Sequence, residues 1–230
     1  IDQAVKWGHK AIAVTDHGNV QSFPDAQAAI AGKDIKMIYG VELNMIDPEF
    51  TSVRNVKSID LKDLTFVSFD LETTGLSQID DEITEFGAVK MRNGLIIDRF
   101  DSFVRSPKPI PPKVSELTSI TNEQIKNAPT IQELMPKILE FFGDDLVIGH
   151  NGRFDIGMLN ADLKKMGLEE IQNCWIDTLP LARHLIPLMQ SYRLGRVCSY
   201  YKIPYDGEAA HRADYDAEVL GLAFNAMIED

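Results

Sequence analysis

Short apolar runs separated by polar residues divide this chain into two regions. In residues 1–50 the pattern predicts helix, strand, helix and strand, over AVKWGH, AIAVTDHG, the stretch through Ala31, and KMIYGVELN. A βαβ-like fragment of this size is too short to close a hydrophobic core by itself. Residues 51–63 are polar and without periodicity, which predicts a linker, and a second apolar pattern fills residues 64–230.

The second region begins with three consecutive strands and continues with alternating helices and strands. TFVSFD predicts a buried strand that ends at Asp70. ITEFGAVKM and LIIDRFDSFV flank Asn93-Gly94, the strongest short signal of a hairpin. The later predicted elements are a helix from a capping box at 130–133 to about 143, the strand DLVIGH, a helix over about 151–167, the strand CWIDT, and helices over 192–201 and 213–229. This order predicts an α/β fold with a mixed sheet flanked by helices.

Composition narrows the class of protein. Of the 230 residues, 44% are hydrophobic and 25% charged, which is ordinary for a globular protein. The net charge of −12 argues against a broad basic surface that wraps nucleic acid, but an enzyme that holds a few nucleotides through metal ions stays open. Cys174 and Cys198 have neither metal-motif spacing nor a nearby partner, which fits a reducing cytoplasm. No apolar run reaches the length of a membrane span, and the start at Ile1, in mid-pattern and without a signal peptide, indicates a piece of a longer polypeptide.

Four carboxylates in three separated segments carry the functional signal: Asp70 and Glu72 in FVSFDLETTGL, Asp155 in HNGRFD, and Asp216 in HRADYD. Asp70 and Glu72 are two apart, so an extended backbone points both to one face. Ligand sites collect at strand ends in open α/β sheets, so the acids can converge on one edge. Clustered carboxylates repel one another unless a cation lies between them, and oxygen ligands suit Mg²⁺ or Mn²⁺. The pattern therefore predicts a metal-dependent phosphodiester enzyme.

The residues after Glu72 are candidates for substrate binding. Thr73 and Thr74 offer hydroxyl and amide donors for a phosphate or a terminal hydroxyl. Gly75 lets the backbone approach a ligand closely, and Leu76 can wedge against a base. The alternative for the segment is that Asp70 caps the following turn and Glu72 is solvated.

The HNGRFD segment offers a second set of candidates. Asn151 and Asp155 are at i and i+4, which places both on one helical face with Phe154 beside them. Phe154 can stack a base, and His150 can line the site. The alternatives are that Asn151 is only a helix N-cap, that Asp155 is favoured by the helix dipole, and that Phe154 belongs to the core.

His211 is the candidate general base. It lies five positions before Asp216, and within one helix the two side chains would point about 140° apart. His211 is therefore predicted in the loop before the last helix, with Asp216 in the first turns of that helix. Histidine is the side chain that titrates near neutral pH, as a general base requires. The alternative is a surface histidine, as expected for His9, and His184 is predicted to be structural.

F-D-L-E-T-T-G-L, H-N-G-R-F-D and H-R-A-D-Y-D resemble the three motifs of the DEDDh, or DnaQ-like, 3′→5′ exonucleases, over residues from about 64 to 230. The resemblance implies an RNase H-like fold, with His211 as the base that takes a proton from the attacking water. It implies hydrolysis at the 3′ end of a nucleic-acid strand, such as a single-stranded or frayed primer terminus, with nucleoside 5′-monophosphates as products. It implies that two divalent ions, Mg²⁺ or Mn²⁺, are bound by the four acids Asp70, Glu72, Asp155 and Asp216.

The first region carries a second resemblance. VTDHGN, with Asp16 and His17, and YGVE, with Glu42, resemble two motifs of the PHP phosphoesterase domain. The earlier H-x-H motif and the later ligands are missing, so residues 1–50 are interpreted as a partial PHP fragment in which His17 and Glu42 are remnants. A PHP domain interrupted by a DnaQ-like exonuclease resembles the PolC-type replicative DNA polymerase III of Gram-positive bacteria. This implies a proofreading region whose partners are DNA and the remainder of the polymerase polypeptide, in the cytoplasm at the nucleoid, without a membrane partner.

Three alternatives stay open. The same carboxylates would hydrolyse RNA in an exoribonuclease of the RNase T or oligoribonuclease type, since contact with the 2′-hydroxyl decides between the two. A catalytically silent scaffold module would be expected to lack at least one of the four acids, and none is lacking. Phosphoesterase activity from residues 1–50 is disfavoured by the truncated set of ligands.

Overall fold

The computed structural model describes residues 1–43, 52–60, 63–207 and 209–229. The chain forms two compact units, Ile1–Phe50 and Thr51–Asp230. Part of the predicted linker is instead an edge strand of the second unit's sheet, β3 (Val53–Arg54), because its backbone pairs with a strand far along the chain. The end of the first predicted region (44–50) and part of the predicted linker (51, 61 and 62) lie outside the described residues. Within the described part of the chain, no helix combines the length and the apolar character needed to cross a bilayer.

The first unit has the predicted order of helix, strand, helix and strand: α1 (Asp2–Lys6), β1 (Ala11–His17), α2 (Phe23–Ala29) and β2 (Lys36–Glu42). β1 and β2 pair in parallel, from Ala11 with Lys36 to His17 with Glu42. The His17 Nδ1 atom lies 2.5 Å from Glu42 Oε2, and both side chains are exposed. Asp16 accepts hydrogen bonds from the backbone and hydroxyl of Ser22, both at 2.8 Å. The interpretation of this unit as a PHP fragment stays a prediction.

A six-stranded mixed sheet forms the second unit. Its further strands are β4 (Thr65–Thr73), β5 (Ile83–Arg92), β6 (Leu95–Phe103), β7 (Leu146–Gly149) and β8 (Trp175–Asp177), in the spatial order β3-β8-β7-β4-β5-β6. β4, β5 and β6 are antiparallel neighbours, whereas β7 pairs in parallel with both β4 and β8. The mixed sheet predicted from the pattern is confirmed. The turn between β5 and β6 has positive φ at both Asn93 (51°) and Gly94 (73°), as a tight hairpin requires.

Helices flank this sheet on both faces. The described helices of this unit are α3 (Pro112–Thr118), α4 (Asn122–Ile125), α5 (Ile131–Phe142), α6 (Arg153–Lys165), α7 (Thr178–Leu185), α8 (Leu194–Tyr200) and α9 (Ala213–Glu229). The capping box before α5 is present, because the Thr130 hydroxyl accepts from the Glu133 amide and the Glu133 carboxylate accepts from the Thr130 amide. Gly143, at φ 50°, follows the last residue of α5, so this helix ends where it was predicted to end.

Strand β4 separates two cores by the alternation of its side chains. Phe69 packs into the core that includes residues of α5 and α6. Phe66 packs on the other face against Phe224 of α9, edge to face, with 5.1 Å between the ring centroids. Because side chains alternate along a strand, Asp70 and Glu72 continue the face of Phe66, which is the face of α9. The same pleat that divides the cores thus aims two carboxylates at the last helix.

Candidate active site

The sequence predicted that strand β4 ends at Asp70, but this prediction is wrong. The strand continues to Thr73, because β5 pairs with it through Asp70 opposite Gly87 and Glu72 opposite Glu85. Both acids therefore lie within the strand, and their spacing along one face is held by the backbone hydrogen bonds of the sheet. The register shifts only beyond them, between Glu72 and Thr73.

Gly87 of β5 lets the start of α9 contact the sheet. A β-carbon at this position would lie 2.2 Å from the carbonyl carbon of Ala213 and 2.2 Å from the amide nitrogen of Asp214. Only glycine permits this approach of the helix backbone. Since Gly87 is the cross-strand partner of Asp70, the contact sets the first turn of α9, with Asp216, beside Asp70.

His211 and Asp216 lie where the sequence placed them, in a loop and in the first turn of α9. His211 has φ 62°, and its backbone amide donates to Asp216 Oδ2 at 3.0 Å. The Tyr205 hydroxyl lies 3.5 Å from the other carboxylate oxygen, Asp216 Oδ1. Potential ligand atoms of Glu72, His211 and Asp216 lie within 4.8 Å of one another. A cation held between Glu72 of β4 and Asp216 of α9 would therefore lie close to the His211 ring.

Asp155 comes from the first turn of α6 and is buried, with 4% of its surface exposed. The predicted start of this helix at Asn151 is wrong. Asn151 has φ 62° and lies before the N-cap Gly152, so it is neither the N-cap nor on a helical face with Asp155. Its backbone amide instead donates to Asp177 Oδ1 at 3.0 Å, which holds the turn between β7 and α6. Close packing of Gly149 and Gly152, where a β-carbon would lie 2.7 Å from the neighbouring Cα, makes this turn tight.

The four predicted acids influence one another electrostatically. Burial raises the pKa of Asp70 well above its usual value, and the carboxylates of Asp155, Glu72 and Asp216 raise it further. Burial, followed by the charge of Asp216, raises the pKa of Glu72 to about 8. Burial raises the pKa of Asp155 to about 8, and burial also raises that of Asp216. The structure therefore brings together all four acids from three distant segments.

This donor set fits a divalent cation. Within the described part of the chain, no hydrogen-bond donor contacts the side-chain carboxylates of Asp70 and Glu72. Unpaired, half-buried carboxylates with raised pKa values are unfavourable as anions, and a cation with oxygen ligands removes that cost. The residues that could hold it are Asp70, Glu72, Asp155 and Asp216.

Glu85 and Arg212 form a contact that the sequence analysis missed. Glu85 is fully buried (0% exposed), and Arg212 Nε and Nη2 donate to its Oε1 atom at 3.0 and 2.6 Å. The Ala213 amide, the first of α9, donates to Glu85 Oε2 at 2.9 Å. The available signal was a carboxylate inside the apolar strand ITEFGAVKM, where an unpaired charge is not expected. The carboxylate oxygens of Glu85 lie within 4.8 Å of those of Asp101 and Asp214, as metal ligands would. However, Arg212 already neutralises the charge of Glu85.

The predicted substrate residues after Glu72 form a tight loop. The Thr73 hydroxyl donates to the carbonyl of Gly75 at 2.7 Å, and the Thr74 hydroxyl donates to Asp81 Oδ1 at 3.1 Å. The Thr74 amide donates to the carbonyl of Glu82 at 2.8 Å. These donors hold the loop itself, and their contact with a substrate stays a prediction.

Two features of this loop suit a contact with a ligand. A β-carbon on Gly75 would lie 2.5 Å from Asp81 Oδ2, so glycine allows the loop to close on Asp81. Leu76 is 87% exposed, so its side chain is free to contact a base.

His150 and Phe154 are more enclosed. The ring nitrogens of His150 lie 2.9 Å from Thr178 Oγ1 and 2.7 Å from the carbonyl oxygen of Tyr192, and burial lowers its pKa. The imidazole is thus neutral and already hydrogen bonded, so it can line the site but has no free ring nitrogen for a substrate. Phe154 is half-buried and packs against the core that includes Phe69.

A cavity of about 880 Å³ opens at this cluster. This volume lies within the range of small-molecule and cofactor sites, about 300–1,000 Å³. Residues that line it include Asp70, His150, Arg193, Arg196, His211 and Asp216.

The chain belongs to the exonuclease family, whose family model matches residues 67–224. DNA polymerase III PolC-type of Halalkalibacterium halodurans is 44% identical over 230 residues, which cover 100% of this chain and 16% of that protein. The corresponding protein of Bacillus subtilis is 42% identical over 231 residues, with the same coverage. The chain thus spans about 16% of the length of these relatives.

Solved exonucleases share the fold. The nuclease domain of 3′hExo, a DEDDh family member bound to rAMP, has a TM-score of 0.65 at 19% identity, over 75% of this chain and 95% of that one. Exonuclease X in complex with 5′ overhanging duplex DNA has a TM-score of 0.59 at 27% identity, over 72% and 91% of the two chains. The predicted RNase H-like exonuclease fold is therefore confirmed. The DEDDh family depends on divalent metal ions, and the acidic residues of this chain could hold one.

Proposed function

We propose that residues 64–230 are a 3′→5′ exonuclease that removes nucleotides from the 3′ end of DNA and serves as the proofreading region of a PolC-type DNA polymerase III. The observation that carries the proposal is the proximity of the four carboxylates and His211, of which Asp70, Asp216 and His211 line one cavity. Similarity over the whole chain to DNA polymerase III of the PolC type supports DNA as the substrate.

Asp70, Glu72, Asp155 and Asp216 would hold two divalent ions, Mg²⁺ or Mn²⁺. Bound there, such ions lower the pKa of a water and offset the charge that develops on the leaving 3′ oxygen. The chain's contribution is to keep the carboxylates in place: sheet hydrogen bonds hold Asp70 and Glu72, and the His211 amide holds one oxygen of Asp216.

His211 would take the proton of the attacking water. Its ring lies on an exposed loop with a potential ligand atom within 4.8 Å of oxygens of Glu72 and Asp216, so a water near those oxygens is within its reach. The loop backbone is fixed by the hydrogen bond from the His211 amide to Asp216 and by the Arg212–Glu85 ion pair. A base held in this way does not need to be ordered during the reaction.

The loop of Thr73 to Leu76 would hold the terminal nucleotide, with Leu76 against the base, and Asn151 and Phe154 would border it. A mispaired terminus frays more readily than a paired one and reaches a single-strand site first, so proofreading needs no readout of the base. The remainder of the polymerase polypeptide would be the protein partner, and residues 1–50 a remnant of its PHP domain. The corresponding location is the bacterial cytoplasm, at the nucleoid.

The test is digestion of a 3′-mispaired DNA primer with Mg²⁺ or Mn²⁺ and with EDTA, beside single-stranded RNA of the same sequence. We expect release of nucleoside 5′-monophosphates from DNA that EDTA abolishes and that Asp70→Asn reduces by several orders of magnitude. Asp98→Asn, on an exposed position of β6, is the matched control and should leave the rate unchanged. Faster digestion of the RNA would favour the exoribonuclease alternative, and activity in Asp70→Asn equal to the native rate would contradict the proposed site.

A further inference from the structure

The cavity at the carboxylate cluster has a basic part as well as an acidic one. Arg193 and Arg196, at the start of α8, line it together with Asp70, His211 and Asp216. Both arginines are exposed. Among the residues that the structure describes, neither guanidinium has an ion pair or hydrogen bond.

The chain has a net charge of −12, so carboxylates are in excess. No carboxylate of the described residues pairs with Arg193 or Arg196, although Asp70 and Asp216 line the same cavity. Guanidinium groups left free beside an acidic cluster therefore indicate an anionic ligand that is bound there from outside.

The position of α8 is tied to the acidic cluster through Tyr205. A β-carbon on Gly195 would lie 2.7 Å from a carbon of the Tyr205 ring, so the first turn of α8 packs directly on this ring. The hydroxyl of the same tyrosine lies 3.5 Å from Asp216 Oδ1. Arg193 and Arg196 are thus carried by a turn that sits at a set distance from Asp216, and they are neighbours on one side of it because they are three residues apart.

We propose that Arg193 and Arg196 bind the backbone phosphates of the nucleotides that lie immediately 5′ of the scissile bond. The inference rests on the proposed function, which places the scissile phosphate at the carboxylates. The carboxylates repel the following phosphates of the strand, and the arginines offset that repulsion with planar, bidentate donors. Backbone contacts of this kind bind any base sequence, as removal of successive nucleotides requires.

The test compares two substrates of the intact protein. One is a short oligothymidylate, and the other is the p-nitrophenyl ester of thymidine 5′-monophosphate, which has the scissile phosphodiester but no phosphate on its 5′ side. For Arg193→Gln/Arg196→Gln we expect kcat/KM on the oligothymidylate to fall roughly tenfold at low salt, and the slope of log(kcat/KM) against log[salt] to become shallower by about 1.4, since each single-strand phosphate contact contributes about 0.7. Hydrolysis of the ester should stay at the native rate, which also shows that the variant is folded.

Two further variants sharpen the result. Arg193→Lys/Arg196→Lys should restore most of the salt slope, because the charge is kept. Lys137→Gln/Lys164→Gln removes two exposed cations of α5 and α6 that do not line the cavity, and its kinetics should match the native protein. An unchanged salt slope in the arginine double variant, or an equal loss on both substrates, would overturn the inference. Failure of the native protein to hydrolyse either substrate would instead overturn the proposed function.

Discussion

Arg212 and Glu85 join the segment before α9 to strand β5 of the sheet. The Arg212 guanidinium contacts both carboxylate oxygens of Glu85, with Nε 3.0 and 3.2 Å from them. Glu85 also accepts a hydrogen bond from the Ala213 amide, so a side chain of β5 caps the start of α9. Because Arg212 follows His211 directly and Asp216 lies in the first turn of α9, this one carboxylate positions both of them.

Glu85→Gln should destabilise the protein. The substitution keeps the shape of the side chain but removes the carboxylate to which the partly buried guanidinium of Arg212 is hydrogen bonded, for which we expect a loss of about 3 kcal/mol in the free energy of unfolding. Urea unfolding followed by circular dichroism measures it. The control is Glu123→Gln, which breaks an exposed pair with Lys126 and should cost less than about 1 kcal/mol. Equal losses in the two variants would show that the Glu85 pair is no more than a surface contact.

Gly87→Ala should displace α9 from the sheet. The added methyl group would lie 2.2 Å from backbone atoms of α9, which cannot move as a side chain does. We expect a loss of at least about 2 kcal/mol in the free energy of unfolding and a fall in exonuclease activity, because Asp216 moves with the helix. Gly207→Ala, where nothing lies within 4 Å of the added carbon, should leave both quantities unchanged. Thermal unfolding and primer digestion test the pair, and native behaviour of Gly87→Ala would contradict the role of this contact.

His211→Asn tests the role of the imidazole separately from that of the His211 backbone. Asparagine tolerates the positive φ of 62° found at this position, so the hydrogen bond from the backbone amide to Asp216 should be retained. Loss of a general base should lower kcat by about 10²- to 10⁴-fold. The Mn²⁺ concentration that gives half of the maximal increase in the midpoint of thermal unfolding should be close to that of the native protein. His184→Asn, on the exposed side of α7, is the control, and a native kcat in His211→Asn would exclude the histidine as the base.

Stability of the metal-free protein should depend on pH through the acidic cluster. The pKa values of Glu72 and Asp155 are raised from 4.5 and 3.8 to about 8, so the folded state binds more protons than the unfolded state between about pH 4 and pH 8. The stabilisation from these protons is complete at the acidic end and is lost as the pH rises through 8. The midpoint of thermal unfolding in EDTA should therefore fall over this range.

Mn²⁺ at pH 8 should restore the midpoint of thermal unfolding, since the ionised carboxylates then have a cation between them. Asp70→Asn removes one of the repelling carboxylates, so it should raise the metal-free midpoint at pH 8 and reduce the increase caused by Mn²⁺. A midpoint in EDTA that rises with pH would show that the carboxylates do not share the environment described above.

Local signals predicted several elements well. The Asn93-Gly94 hairpin and the capping box at Thr130 depend on contacts between residues at most three apart, which the sequence displays directly. Predictions of boundaries were less accurate where distant backbone takes part. β4 runs on to Thr73 because β5 pairs with it, and α6 starts after Asn151 because Asp177, 26 residues away, holds the preceding turn.

The sequence by itself determined the family and the α/β class, and it singled out the four acids that the structure brings close together, because those depend on short motifs and on the two-residue period of a strand. It placed His211 in a loop because helical geometry excludes it from the helix face of Asp216. Only the tertiary structure decided that Glu85 caps α9, that Gly87 admits this helix, and that Arg193 and Arg196 line the same cavity as Asp70. Each of those facts is a contact between segments far apart in the chain, and no local pattern records which distant partner a residue will meet.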